Sequence, residues 1–208
     1  MAMLPKRSPI ALAILAMLYE SPMHPYRMQR LVKDRGKDEV INVAQRAGVY
    51  QTLPRLQREG LIAARQKETE ERRPERTVYE ITEKGRSTLL AWMRDMLSTP
   101  KYEFPEFPAA ISFLPLLSPQ DVLHQFELRA SAIEEELVRM DAQLTTVAAV
   151  VPRLFLLETE YLRALQAAEL AWVMALIEDL RAGRLDWNEA WLRKITAQFA
   201  PDLAGAGR

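Results

Sequence analysis

The chain has 208 residues, of which 49% are hydrophobic and 27% charged, with 28 Lys+Arg balanced against 28 Asp+Glu and no cysteine. That composition suits one or two packed domains and excludes a disulfide framework or a thiolate metal site. No apolar run reaches membrane-spanning length and Pro5-Lys6-Arg7 leads into no secretory h-region, so a cytoplasmic protein is expected.

Charge is unevenly placed. Residues 1–100 hold 18 Lys+Arg and 12 Asp+Glu, a balance of +6, whereas residues 101–208 hold 10 and 16, a balance of −6. A basic front half and an acidic rear half point to two different tasks.

In chain order, Ser8-Pro9 is an N-cap followed by proline at the first helical position. The run from Ile10 to Tyr19 is apolar almost all round and predicts a short, central helix ending at Ser21-Pro22. His24-Pro25 opens a second helix with Tyr26, Met28, Leu31 and Val32 inward and Gly36 as its stop. A third helix is expected from about Ala44 to Glu59. At roughly 100° per residue, Val49, Tyr50, Leu53 and Leu56 share its buried face, and Gly48, Gln51, Arg55 and Arg58 fall opposite. Leu61 to Gln66 reads as a strand, residues 67–76 (KETEERRPER) as a hairpin tip, and Thr77 to Ile81 as the return strand. Thr82 caps a fourth helix to Leu97, with Leu89, Leu90, Trp92, Met93 and Met96 apolar. This order of elements is that of a winged helix-turn-helix spanning residues 1–97: three helices, a two-stranded wing and a connecting helix.

Residues 98–118 are rich in proline and aromatics and read as a packed connector with a short helix near Pro108 to Leu114. Ser118-Pro119-Gln120-Asp121 is a strong helix start. Beyond it Leu123, Phe126, Ala130, Ile133, Leu137, Met140, Leu144, Val147 and Val151 form a seam of about 3.5-residue period, the pattern of a coiled coil. Pro152 closes it. A further helix, about Leu154 to Arg181, is expected to turn Leu157, Tyr161, Leu165, Ala168, Trp172, Leu176 and Leu180 inward, and Asp186 with Glu189 to cap a last helix. Residues 119–200 thus predict an antiparallel helical domain, and 201–208 a loose tail. The whole is mainly α.

Several stretches together resemble the PadR family of bacterial transcriptional regulators. They are "VYQTLPRLQREGLI" at 49–62, "VYEITEKGR" at 78–86, "HPYRM" at 24–28, and the C-terminal "FPAAISFLPLLSPQD" and "EYLRALQAAELAWVMALIEDL". The resemblance covers nearly the whole chain. It departs from the family at Pro25, which replaces a glycine, and at Pro54, inside the third helix. The resemblance implies a homodimer that binds an inverted-repeat operator in double-stranded DNA and represses, and in some members is released by a small molecule. It implies dimer contacts on the C-terminal helices, here Leu123, Phe126, Ile133, Leu137, Met140, Leu144, Trp172 and Leu176. Planar drugs stack near the connecting helix of some smaller members, so Trp92, Met96 and Phe113 are candidates for a pocket taking a small planar aromatic effector. Core or dimer packing is the alternative for those aromatics.

The DNA-facing set is expected to be Gln45, Arg46, Gln51, Thr52, Arg55 and Arg58. Arginine bonds guanine bidentately and glutamine adenine. A plain solvated face is the other reading. Wing residues Arg72, Arg73 and Arg76 suit a narrow minor groove, although the interleaved glutamates also allow a self-paired hairpin. Lys6, Arg7, Arg27, Arg30 and Lys33 are placed to meet phosphates. His24 and His124 lack metal-ligand spacing, and no cofactor is implied. There is neither a glycine-rich phosphate loop nor a nucleophile elbow, so an enzyme is not expected. A winged-helix adaptor that binds protein instead of DNA is the alternative function.

Overall fold

A computed structural model describes residues 7–37, 46–68 and 76–199. The chain divides into two compact units, residues 1–102 and 103–208. The first holds α1 (Pro9–Glu20), α2 (Pro25–Asp34), α3 (Arg46–Arg58), β1 (Ile62–Glu68), β2 (Arg76–Ile81) and α4 (Glu83–Ser98), in the order of a winged helix.

Its helices start where the capping chemistry says they should. Ser8 Oγ accepts the Ala11 N–H at 3.2 Å, His24 Nδ1 accepts that of Arg27 at 3.1 Å, and Thr82 Oγ1 accepts that of Gly85 at 3.0 Å. Each bond satisfies a donor that the first turn leaves open. α1 is the central rod. Ala11, Ile14, Leu15 and Leu18 from it join Met28 and Val32 of α2, Val49, Leu53 and Leu56 of α3, and Leu89 and Trp92 of α4 in one buried cluster.

β1 and β2 pair antiparallel, with Ile62 opposite Ile81 and Arg65 opposite Val78. The register then shifts before Glu68 meets Arg76, a bulge that bends the wing. Met23, between α1 and α2, exchanges two backbone bonds of 3.0 Å with Tyr79. The turn therefore serves as a one-residue third strand and anchors the wing to the helices.

Two expected inward placements are corrected in this unit, and α4 divides its apolar residues between core and surface. Tyr26 is 58% exposed and Tyr50 51% exposed, so neither belongs to the buried stripe of its helix. On α4, Leu90, Met93 and Met96 are exposed while Leu89 and Trp92 are buried.

The second unit holds α5 (Glu106–Ile111), a 3-10 turn at Leu114–Leu116, α6 (Pro119–Ala148), a second 3-10 turn at Arg153–Phe155, α7 (Leu157–Arg181) and α8 (Glu189–Phe199). Ser118 caps α6 by accepting the Asp121 N–H at 3.2 Å and donating to its carboxylate at 2.7 Å. α6 and α7 run antiparallel: Glu127 and Arg129 near the start of α6 pair with Arg181 and Glu169 of α7, and Asp141 further along α6 pairs with Arg163. Phe107 of α5 lies edge-on to Phe126 and Trp172, with ring centroids 6.4 and 6.1 Å away.

The seam expected to meet a second chain is used within this one. Phe126, Ile133 and Met140 are buried in the single chain. Leu123 and Leu176 pack on the cluster of Val122, Phe126, Ala130, Val173 and Ile177, and Leu137 and Leu144 are half-buried. α7 is rotated from its expected setting: Thr159, Val173 and Ile177 are buried, whereas Leu157, Tyr161, Leu165, Ala168 and Trp172 are exposed. α8 is capped by Asn188, whose Oδ1 accepts the Trp191 N–H at 2.9 Å, and not by Asp186. No helix among the described residues is long and apolar enough to cross a membrane.

Candidate nucleic-acid interface

α3 is held from behind and from its end. Val49, Leu53 and Leu56 insert into the core. Gly48 lies against α1, where an added Cβ would come within 2.6 Å of Ile10 Cδ1. The helix ends in a Schellman motif: Gly60 takes φ 70°, Leu61 N–H donates to Leu56 O and Gly60 N–H to Gln57 O, both at 2.9 Å. The start of α4 then closes over it. Thr82 Oγ1 donates to Gly60 O at 2.8 Å and Lys84 Nζ to Glu59 O at 2.7 Å.

What projects is a face of Tyr50, Gln51, Pro54, Gln57 and Arg58, all exposed. It carries no acid. Gln51 and Arg58 have no hydrogen-bond or ion-pair partner among the described residues, so amide and guanidinium are available to an outside ligand. Two side chains expected on this face are elsewhere. Thr52 is only 9% exposed and donates to Gly48 O at 2.7 Å, a bond internal to the helix. Arg55 sits at the margin, part-buried and paired with Glu59 at 3.4 Å. The true buried stripe is centred nearer Leu56 than the apolar residues alone suggest, because Thr52 lies inside and Tyr50 outside. Gly48 moves inward with it.

Pro54 stays within a continuous helix. Proline at such a position costs about 3 kcal/mol relative to alanine and offers no N–H to the Tyr50 carbonyl. Its ring is exposed, so no core packing within the described residues offsets that cost.

Beside this face lies a cleft of about 480 Å3 lined by His24, Tyr26, Tyr50, Pro54, Thr77 and Tyr79. His24 and Tyr26 have ring centroids 6.2 Å apart. Tyr26 and Tyr50 are therefore surface groups that the hydrophobic pattern had assigned to the core. Their i, i+3 and i, i+4 spacing to apolar neighbours gave no sign of it.

The surrounding cations are unequal. Arg27, Arg30 and Lys33 are exposed along α2, with Arg30 paired to Asp34 at 3.3 Å. Arg7 is paired with Asp95 of α4. Arg35 grips Glu20 with two bonds of 2.7 Å, and this holds the Glu20 carboxyl below its ordinary pKa. On the wing, Arg65 lies 3.8 Å from Glu80. Gln45, Lys6, Arg72 and Arg73 lie outside the described residues. Arg46 opens α3 and Arg76 opens β2, but their side chains also lie outside the described set.

The aromatic candidates for an effector site are placed differently from one another. Trp92 is 1% exposed within the core cluster of the first unit. Met96, on the same helix, is exposed, and Phe113 is exposed in the second unit. No group of three or more His, Asp or Glu among the described residues could hold a metal ion.

Residues 14–91 match the transcriptional regulator PadR-like family. Among solved structures, the chain resembles PadR of Bacillus subtilis in complex with operator DNA, with a TM-score of 0.66 and 18% identity over 85% of this chain and 99% of that one. The same protein in complex with p-coumaric acid gives a TM-score of 0.67 and 18% identity over 84% and 99%. The PadR-like transcriptional regulator BC1756 of Bacillus cereus gives 0.55 and 16% over 84% and 99%. At these identities the likeness speaks for the fold. No curated protein matches the chain. The order of helices and wing agrees with the match of residues 14–91 to the PadR-like family of transcriptional regulators.

Proposed function

We propose that the protein is a cytoplasmic homodimeric repressor that binds an inverted-repeat operator, with α3 of each subunit in the major groove. The observation that carries this reading is the acid-free, projecting face of α3, where Gln51 and Arg58 stand without partners among the described residues on a helix whose opposite face is buried. Arginine to guanine and glutamine to adenine are the pairings this face can make. Arg27 and Lys33 meet phosphates, and the +6 balance of residues 1–100 favours a polyanion. The Bacillus subtilis relative bound to operator DNA supports the same use of the fold.

A second copy docks on the exposed stripe of α7. Leu157, Tyr161, Leu165, Ala168 and Trp172 lie at helical spacing and remain open in one chain. Two α3 helices then enter grooves one turn apart, about 34 Å. A small planar aromatic that prefers another dimer geometry would lower operator affinity by its differential binding. The relative bound to p-coumaric acid supports that part.

The test is selection of bound sequences from random duplexes with the full chain. A recovered palindrome, bound with an affinity that falls steeply with salt, is the expected result. Recovery of no sequence from a folded dimer would reject the reading and leave the protein-binding adaptor.

A further inference from the structure

We infer that Tyr50 and Pro54 form a thymine-reading edge on α3, accepting C5-methyl groups in the major groove; this rests on the DNA-binding reading above. The two residues are four apart, so their side chains are neighbours along one side of the helix. Both are exposed, on the same face as Gln51 and Arg58. The recognition surface is thus divided: a polar half of amide and guanidinium, and an apolar half of a phenol ring and a pyrrolidine ring.

Folding does not explain the apolar half. Pro54 is a helix-disrupting residue held at an exposed position of a continuous helix, and the Tyr50 ring is outside the core cluster. A pyrrolidine ring has no donor or acceptor to offer a base edge. What it can recognise in the major groove is the one apolar group exposed there, the thymine methyl. Tyr26 and Tyr79 extend the same apolar wall along the cleft of about 480 Å3 beside the helix. The neighbouring Gln51 suits adenine, so an A·T pair read from both its edges is the arrangement that uses all three side chains.

The experiment uses the full chain and the operator recovered by selection. Each thymine in turn is replaced by deoxyuridine, which removes only the methyl group. Wild-type binding is expected to weaken about fourfold at one or two positions in each half-site, the loss of one buried methyl. Pro54→Ala is expected to melt cooperatively and to bind the thymine and uridine forms of those positions alike. Tyr50→Ala is read in the same way. The ratio between the two operators is the measured quantity, so a general loss of affinity from altered helix geometry does not imitate the effect. Uridine operators that bind as tightly as thymine operators at every position would overturn the inference while leaving DNA binding intact. So would variants that keep the thymine preference unchanged. Failure to recover any operator would remove the DNA-binding reading and this edge with it.

Discussion

Lys84 Nζ donates to the backbone carbonyl of Glu59 at 2.7 Å, joining the first turn of α4 to the end of α3. A cation there meets the electronegative end of the helix that carries Gln51 and Arg58. Thr82 adds a bond to Gly60 O while capping its own helix. Thr82→Val keeps the volume and removes both hydroxyl bonds, and is expected to cost about 1–2 kcal/mol in chemical denaturation. Lys84→Met is expected to cost less, about 0.5–1 kcal/mol, and to weaken operator binding because α3 is held less firmly. A Thr82→Val protein as stable as wild type would show that the clamp is not structural.

Under the proposed DNA-binding reading, the exposed members of α3 and α2 divide into readers and anchors. Arg58→Ala is expected to reduce operator affinity roughly tenfold to hundredfold and to relax preference at one position per half-site. Gln51→Ala acts in the same way at another. Arg55→Ala, already paired with Glu59, has a smaller effect. Arg27→Ala weakens all duplexes alike and lowers the salt slope by about one. Binding titrations at several salt concentrations separate these outcomes. Equal losses for Arg55→Ala and Arg58→Ala would place the readout on a different side of the helix.

Local chemistry accounts for what the sequence made legible. Ser8-Pro9, His24-Pro25, Thr82 and Ser118-Pro119 are caps whose partners lie three residues away, so they could be read without tertiary knowledge. The faces of helices were less secure, since amphipathic residues break the hydrophobic rule. Tyr26 and Tyr50 count as apolar but lie at the surface, while Thr52 counts as polar but is buried by bonding its own backbone. α7 carries two apolar stripes, and periodicity alone did not say which one its own α6 takes. Met23 pairs with Tyr79 through a single residue, too short to leave any pattern.

Two glycines should differ sharply in what they tolerate. A Cβ at Gly85 would lie 2.0 Å from the carbonyl oxygen of Leu61, a backbone atom tied by the Thr82 N–H. Gly85→Ala therefore forces α4 off the wing and is expected to cost about 3 kcal/mol or more. At Gly48 the obstacle is the tip of the Ile10 side chain, which can turn away. Gly48→Ala also gains helix propensity of about 1 kcal/mol, so its net change is expected to be within about 1 kcal/mol. Melting curves for the two variants check the contrast.

Stability should carry a small acid-sensitive contribution from Glu20. Its hydrogen bonds to Arg35 lower the carboxyl pKa on folding. A depressed acid stabilises the fold above its unfolded pKa, and that stabilisation is lost as pH falls through the lower, folded value. Both side chains are about half exposed, so solvent limits the pair to at most about 1 kcal/mol. Glu20→Gln is expected to lower stability by that amount at neutral pH, and the difference from wild type should vanish in strong acid. A gap independent of pH would assign the loss to packing instead.

The two stripes of α7 give the sharpest division between fold and assembly. Ile177 is 2% exposed in the single chain, whereas Leu165 is 51% exposed. Ile177→Glu buries a carboxylate among apolar neighbours and is expected to unfold the second unit. Leu165→Glu leaves the α6–α7 core alone and places charge in the stripe assigned to the second copy. It is expected to keep the helical circular dichroism of wild type and to weaken dimerisation by about 2 kcal/mol or more, roughly thirtyfold. Operator affinity then falls as well, because one subunit alone engages only one half-site. Sedimentation across a concentration series measures the first effect and duplex titration the second. A Leu165→Glu protein that stays dimeric and binds as wild type would move the subunit contact away from this face of α7.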